Sequence, residues 1–356
     1  MHILGLCNGS IHGNSEILLK AALLAAVEHN PSISTSWIHV PSVVIPRNAK
    51  PLRDEPNIIP NRSHEYASNN GSDASPAGHS AEIDDREAVF EAIMDADALI
   101  IATPIYSHQP AGSLKALQDA ILGPFVDTSG QHRTIQRQGA GDPTVKDVVI
   151  DPRAIKPRVA GFIAVAGSRG QFPEQWTLAL PSLHQFTYPL HCKVVDMFVF
   201  PGFANAGAVL TDNEAMARAS KIGTSVASQI GRPFDDAEYL GPEEDGSCPY
   251  CHLLKFEFQG DDNRIRCITC GAAGELSTRP DGRFRPVWEE DSDLSCITLK
   301  GKWQHVDDIT EGLSIERQKL PLVAAELERW KAVDMHLVVL PSQKSHYTHS
   351  GRMASL

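Results

Sequence analysis

The sequence predicts an open, parallel α/β sheet with helices on both faces, followed by a small β module. Three observations lead there. Strand-like and helix-like segments alternate five times over residues 1–230. Two strand segments, 98–102 and 159–166, are apolar without alternation, as in strands buried on both faces. Three polar, small-residue turns follow strands, at 8–15, 103–108 and 167–172, on the edge where such sheets bind ligands.

The elements follow in order. Ile3-Leu4-Gly5-Leu6-Cys7 is a first strand that stops at Asn8-Gly9-Ser10. A helix runs from Ser15 to about Glu28, with Asn14 or Ser15 as its N-cap and Asn30-Pro31 as its stop. Residues 33–40 alternate around Trp37 and predict a second strand. Residues 41–83, rich in Pro, Asn, Ser, Gly and Asp, predict a long loop, either a functional lid or oligomer contact or a disordered insertion. A helix over 84–96, the buried strand 98–102 and a helix over 112–122 come next. A polar insertion at 124–157 carries His132, Arg133, Arg137 and Lys146. Strand 159–166, helix 173–186, strand 192–200 and helix 212–230 complete the sheet. Residues 271–310 predict a β extension, 315–333 an amphipathic helix, 332–341 a last strand and 342–356 a loose tail. The predicted domains are therefore 1–240, 241–310 and 311–356.

Composition narrows the function. A net charge of −12 disfavours a nucleic-acid partner, which calls for a basic face. No apolar run approaches the ~20 residues of a membrane span. A strand that begins at residue 2 or 3, with no basic n-region before it, predicts a cytoplasmic protein without a secretory signal.

The first turn aims backbone N–H groups, Ser and Asn side chains and a helix N-terminus at one spot, which is an anion site. It has neither a dinucleotide glycine fingerprint nor a P-loop lysine, so it suits a monophosphate. The plain alternative is a well-capped helix. The second turn, Thr103-Pro104-Ile105-Tyr106-Ser107, is followed by Gly112-Ser113-Leu114-Lys115-Ala116-Leu117 and Asp119. Together with Gly9-Ser10-Ile11-His12-Gly13-Asn14-Ser15, it resembles the flavodoxin-like NAD(P)H-dependent FMN reductase family. The iron–sulfur-flavoprotein-like branch of that family writes these segments GSxRxxGNS, TPxY and SxxLKxxxD. The resemblance covers about residues 1–232.

The resemblance implies a flavodoxin-like, doubly wound, five-stranded sheet that binds FMN and uses NAD(P)H as co-substrate, in a homodimer or homotetramer. It places Ser10, His12, Asn14 and Ser15 on the FMN phosphate. Pro104, Ile105, Tyr106 and Ser107 would line the ribityl chain and ring edge, and Gly167, Ser168, Arg169 and Gly170 the pyrimidine end. Arg169 is the candidate cation near N1, which would favour the reduced flavin. The plain alternatives are a surface arginine at 169 and a packing aromatic at 106. Three departures stand out. Ile11-His12 replaces a stronger cation, residues 41–83 hold no cysteine for a cluster, and the third turn reads GSRG instead of a glycine pair.

Four of the seven cysteines form Cys248-Pro-Tyr-Cys251 and Cys267-Ile-Thr-Cys270, separated by fifteen residues that read as a hairpin. Each CxxC presents two thiolates to one ion, and two knuckles close a tetrahedron. The module resembles a zinc ribbon with structural zinc; a rubredoxin-like iron site is the rival. Cys7, Cys192 and Cys296 read as buried apolar residues.

The predicted function is an FMN-dependent oxidoreductase. It takes hydride from NAD(P)H onto flavin N5 and passes electrons to a small molecule: flavin, quinone or a specific metabolite. Tyr106 and His108 are the candidates for proton delivery, whereas His184 and His191 read as structural. The alternatives are a dedicated tailoring enzyme, with a pocket built by the insertions and the C-terminal module, and a flavin-binding electron carrier or interaction protein.

Overall fold

The computed structural model describes residues 1–46, 52, 83–122, 127–169, 177–290, 292–333 and 335. Most of the predicted 41–83 loop, Gly170 and the expected tail lie outside the described residues. The chain divides into two units, Met1–Asp307 and Asp308–Leu356.

The sheet of the first unit contains β1 (His2–Cys7), β2 (Ser34–His39), β3 (Ala98–Tyr106), β4 (Gln109–Pro110), β5 (Arg158–Val165) and β6 (Cys192–Phe200). The order is β2-β1-β3-β5-β6, all parallel, with the two-residue β4 antiparallel to the end of β3. This is the flavodoxin-like order, with its switch point between β1 and β3. Every residue of β5 is buried, as its unbroken apolar run predicts, whereas the edge strand β2 is largely exposed and polar.

Helices α1 (Asn14–His29), α2 (Arg86–Asp95), α3 (Gly112–Ile121), α5 (Ala179–Thr187) and α6 (Asn213–Gln229) cover the sheet, and α4 (Thr128–Gly139) packs on the 3₁₀ turn Pro152–Ile155. One core joins the sheet to α1 and α6 through Leu19, Ala22, Ile222 and Val226. The other joins it to α2, α3 and α5 through Phe90, Ile93, Leu117, Phe162 and Phe186.

Several expectations are corrected. The N-cap of α1 is Gly13, without a side-chain hydrogen bond, and not Asn14 or Ser15, which are the first helical residues. The third strand does not stop at Ala102. It runs on to Tyr106 and folds back through Ser107 and His108. The polar 124–157 insertion contains α4, capped by Asp127, whose carboxylate accepts from Ser129 N (2.9 Å) and Gly130 N (3.1 Å). Polar residues of α4 (Thr128, Ser129, Gln131 and Thr134) face inward, so no apolar stripe announced the helix.

The C-terminal module is a second, antiparallel sheet, β10-β9-β8-β7, made of β7 (Phe256–Phe258), β8 (Arg264–Cys267), β9 (Ala273–Thr278) and β10 (Phe284–Trp288). No break in packing falls at residue 240. The four clustered cysteines with Leu253, Ala272 and Ile297 belong to the same core as β5 and α5. The β extension ends at β10, and Leu299–Lys319 is a helix, α7, begun by Thr298, whose hydroxyl accepts from Gly301 N at 3.0 Å. In place of one helix over 315–333, the second unit has a short 3₁₀ turn, Leu320–Val323, at Pro321, and then α8 (Ala324–Lys331). Among the described residues no helix is long and apolar enough to cross a membrane.

Helices α1 and α6 meet at a glycine. A Cβ on Gly223 would overlap the Ala22 backbone. Gly223→Ala should destabilise the protein by about 2 kcal/mol or more in urea unfolding, because the obstacle is backbone and cannot rotate away. Gly139→Ala, where a Cβ meets nothing within 4 Å, should change stability by less than about 1 kcal/mol. Equal effects would show that the α1–α6 contact is looser than described.

Candidate functional site

The site is assembled at the carboxyl edge of β1 and β3, where three loops meet. Asn8, just past β1, is 2% exposed. Its amide donates to Thr103 Oγ1 (3.0 Å) and the Ala111 carbonyl (2.9 Å), and its Oδ1 accepts from Ser113 Oγ (2.6 Å). One side chain thus clasps the first turn to the end of β3 and the start of α3. His39 supports the same turn, its Nε2 lying 2.8 Å from the Gly9 carbonyl oxygen and its Nδ1 2.6 Å from Ser42 Oγ.

The first turn leaves a helix end without its usual partners. As the first residues of α1, Asn14, Ser15 and Glu16 have no carbonyl one turn back to accept their N–H groups, and no side chain caps the end. Two glycines keep the space before it narrow. A Cβ on Gly9 would lie 2.8 Å from Ser15 Cβ, and one on Gly13 would lie 2.9 Å from the Ser10 carbonyl oxygen. Glu16 does not face this space. Its carboxylate accepts from His12 N at 2.8 Å and pairs with Lys20 Nζ at 2.5 Å, and the lysine holds its pKa below the usual carboxylate range. An uncapped helix end with a glycine-lined approach and its carboxylate turned away fits a phosphate.

The predicted phosphate ligands divide into two groups. Ser10 and His12 are exposed on the turn, and His12 has a left-handed backbone (φ 60°). Ser15 is buried at 3% exposure, with its hydroxyl close to Gly9. Asn14 is committed elsewhere. Its amide donates to the carbonyls of Phe203 (3.1 Å) and Asn205 (2.8 Å), and its Oδ1 accepts from Val209 N at 3.3 Å. The Asn14 side chain, expected on the phosphate, ties α1 to the loop after β6 in this structure.

At the second turn, Pro104, Ile105 and Tyr106 end β3, and Tyr106 stands 61% exposed. Ser107 (φ 48°) and His108 (φ 73°) form a two-residue hairpin with both backbones left-handed. Such turns favour Asn-Gly, so Ser-His costs about 1 kcal/mol or more per residue. The hairpin is held against the chain entering α5 by Leu178 N, which donates to the His108 carbonyl at 3.1 Å.

The third turn is pinned to the loop after β6. Gly202 N donates to the Ser168 carbonyl at 2.8 Å and Phe203 N to the Ala166 carbonyl at 3.0 Å. Gly167 and Arg169 are exposed, and the predicted fourth member, Gly170, lies outside the described residues. Sequence reasoning missed Asn8, His39, Ser113 and the loop 201–209. Asn8 and Ser113 lay within the motifs; the loop carried no signal because its partner, Asn14, is 189 to 195 residues away.

A second candidate site lies in the ribbon. The Sγ atoms of Cys248, Cys251, Cys267 and Cys270 are all within 4.8 Å of one another and buried. Cys248 and Cys270 are 3.6 Å apart and Cys251 and Cys267 3.4 Å, close to the ~3.8 Å that tetrahedral bonds to zinc require. The residue after each CxxC, His252 (φ 59°) and Gly271 (φ 83°), is left-handed, which closes both knuckles alike. His252 is held by stacking on Tyr239 (centroids 3.9 Å apart) and by Glu243 Oε1 at 3.0 Å. The cluster fits a zinc-ribbon-like metal site.

Comparison with known proteins agrees with this geometry. Residues 1–137 match the NADPH-dependent FMN reductase family. The chain is 30% identical to flavone synthase cfoJ of Aspergillus candidus over 346 residues, covering 96% of this chain and 99% of that protein. A solved structure described as a flavone reductase superposes with a TM-score of 0.72 at 23% identity, covering 96% of this chain and 100% of its own, and shares the fold. The chain therefore belongs to the NADPH-dependent FMN reductase family and is an NAD(P)H-dependent FMN oxidoreductase.

The clasp at Asn8 can be tested. Asn8→Ala strands the Ser113 hydroxyl and takes one of two partners from the Thr103 hydroxyl and the Ala111 carbonyl, a cost of about 1–3 kcal/mol. FMN affinity, measured by quenching of flavin fluorescence, should fall at least about tenfold, equivalent to 1.4 kcal/mol. Wild-type affinity would mean that the two loops are held together by other contacts.

Proposed function

We propose that this FMN oxidoreductase acts on a planar aromatic oxygen heterocycle of the flavone type. One observation carries the reading: the likeness to flavone synthase cfoJ runs through 96% of this chain, and so through the ribbon and the helices after it. A reductase of free flavins needs neither element. Geometry supports the same reading. Four large apolar side chains stand exposed at the carboxyl edge: Ile11 (59%), Tyr106 (61%), Leu178 (44%) and Leu210 (61%). An apolar, aromatic second substrate would cover such a rim and gain its burial.

FMN, once bound, would supply the hydride chemistry that links NAD(P)H to the second substrate. The protein's part is placement. Ser10, Ser15, His12 and the uncapped N–H groups of α1 hold the phosphate. Pro104, Ile105, Tyr106 and Ser107 line the ring edge, while Gly167, Ser168 and Arg169 face its pyrimidine end. Tyr106 or His108, at the hairpin, exchanges the proton that accompanies the hydride at the neighbouring carbon. Cys248, Cys251, Cys267 and Cys270 would hold zinc, and four thiols kept as ligands suit a reducing compartment such as the cytoplasm. A homodimer or homotetramer would complete the walls of the flavin site.

The test is steady-state NADH and NADPH oxidation by the FMN-loaded protein, with flavones set against free FMN and menadione. Values of kcat/KM at least about tenfold higher for the flavonoids support the reading. Equal or lower values would replace it with a general flavin or quinone reductase.

A further inference from the structure

The helices after the ribbon carry an apolar face that nothing covers among the described residues. Every residue from 314 to 333 is exposed. Along α7 and α8, Ile309, Leu313, Glu316, Leu320, Val323, Leu327 and Trp330 follow one another at alternating intervals of four and three. That is the spacing of a coiled-coil seam. The 3₁₀ turn keeps the seam on one line, because residues three apart in such a turn eclipse, and Leu320 and Val323 are its first and last. Ile309, Leu320, Val323, Leu327 and Trp330 are each between 38% and 61% exposed. Two copies of this face would together withdraw about 1,000 Å² of apolar surface, enough for a specific interface.

We propose that, in the proposed homo-oligomer, the segment from Ile309 to Trp330 pairs antiparallel with the same segment of a second copy. Glu316, the polar member of the seam, decides the direction. Parallel pairing in register sets Glu316 against Glu316 of the second copy, two like charges in an apolar layer. Antiparallel pairing that sets Glu316 against Leu320 also sets Leu313 against Val323 and Ile309 against Leu327, so apolar residues meet along the seam. The Glu316 carboxylate then lies beside Arg317 and Lys319, which flank Leu320 on the second copy. Opposite charges thus meet where parallel pairing brings like ones together, and the second copy is complementary in charge as well as in apolar surface.

Analytical ultracentrifugation of the FMN-loaded full chain tests the pairing. The wild type should sediment as a dimer or a larger assembly, and Leu320→Glu or Leu327→Glu should halve its mass. Both side chains are exposed, so neither change disturbs a core. Glu316→Lys should raise the dissociation constant at least about tenfold, and adding Lys319→Glu to that chain should recover part of the loss. A monomeric wild type would overturn the proposal together with the homo-oligomer. Unchanged mass in both leucine variants would overturn this face and leave an oligomer built elsewhere. Glu316→Lys without a loss, or without recovery on adding Lys319→Glu, would overturn the antiparallel register. None of these results bears on flavone turnover, which the kinetic comparison decides.

Discussion

The carboxyl edge of this sheet depends on two buried asparagine amides. Asn8 joins the first turn to β3 and α3, and Asn14 joins the start of α1 to the loop after β6. Asparagine suits both places for one reason. A loop end in a buried setting offers backbone carbonyls, N–H groups and hydroxyls in mixed orientation, and a primary amide can donate twice and accept twice. In a low-dielectric interior each bond is strong and each missing one is costly, so the loops are held in register. The first turn is the piece between the two clasps. It inherits its position from Asn8 on one side and Asn14 on the other.

That arrangement explains how α1 tolerates an unfinished end. Helix N-termini normally recruit a side chain to absorb their free N–H groups. Here Asn14, well placed by type to do so, is drawn away to the β6 loop, and Glu16 is drawn back to His12 and Lys20. The helix gives up local stability and retains an electropositive end. The two left-handed residues of the 107–108 hairpin follow the same pattern, since strain near a binding site persists only where surrounding contacts hold it. The Leu178–His108 hydrogen bond is one such contact.

How much of this was legible in the sequence can be judged residue by residue. The parallel sheet was legible because β3 and β5 are covered on both faces and therefore carry unbroken apolar runs. The three turns and the paired CxxC knuckles were legible because each is a short-range pattern. What escaped was long-range or inverted. The hydrogen bonds of the Asn14 side chain escaped because their partners lie 189 to 195 residues downstream. Helix α4 looked like loop because it turns polar residues inward, where Thr128 bonds the Ala154 carbonyl at 2.9 Å. The sharing of one core by the four cysteines, β5 and α5 is likewise long-range, so no local pattern showed it.

The ribbon is consequently more than an appendage. Its cysteine knuckles pack against α5, where Tyr188 donates its hydroxyl to the Thr269 carbonyl and buried Lys302 donates to the Tyr188 carbonyl. Cys296 N in turn donates to the Cys270 carbonyl at 2.7 Å, which fixes the chain entering α7. The other end of α5 begins at Leu178, whose N–H holds the His108 hairpin. A nine-residue helix thus has the candidate flavin hairpin at its start and the cysteine centre at its end. Helices transmit displacement as rigid bodies because their own hydrogen bonds resist shear, and packed cores shift between discrete arrangements instead of deforming smoothly. Order in the knuckles is therefore order in α5. The ribbon and the 107–108 hairpin are thus bonded to opposite ends of one helix.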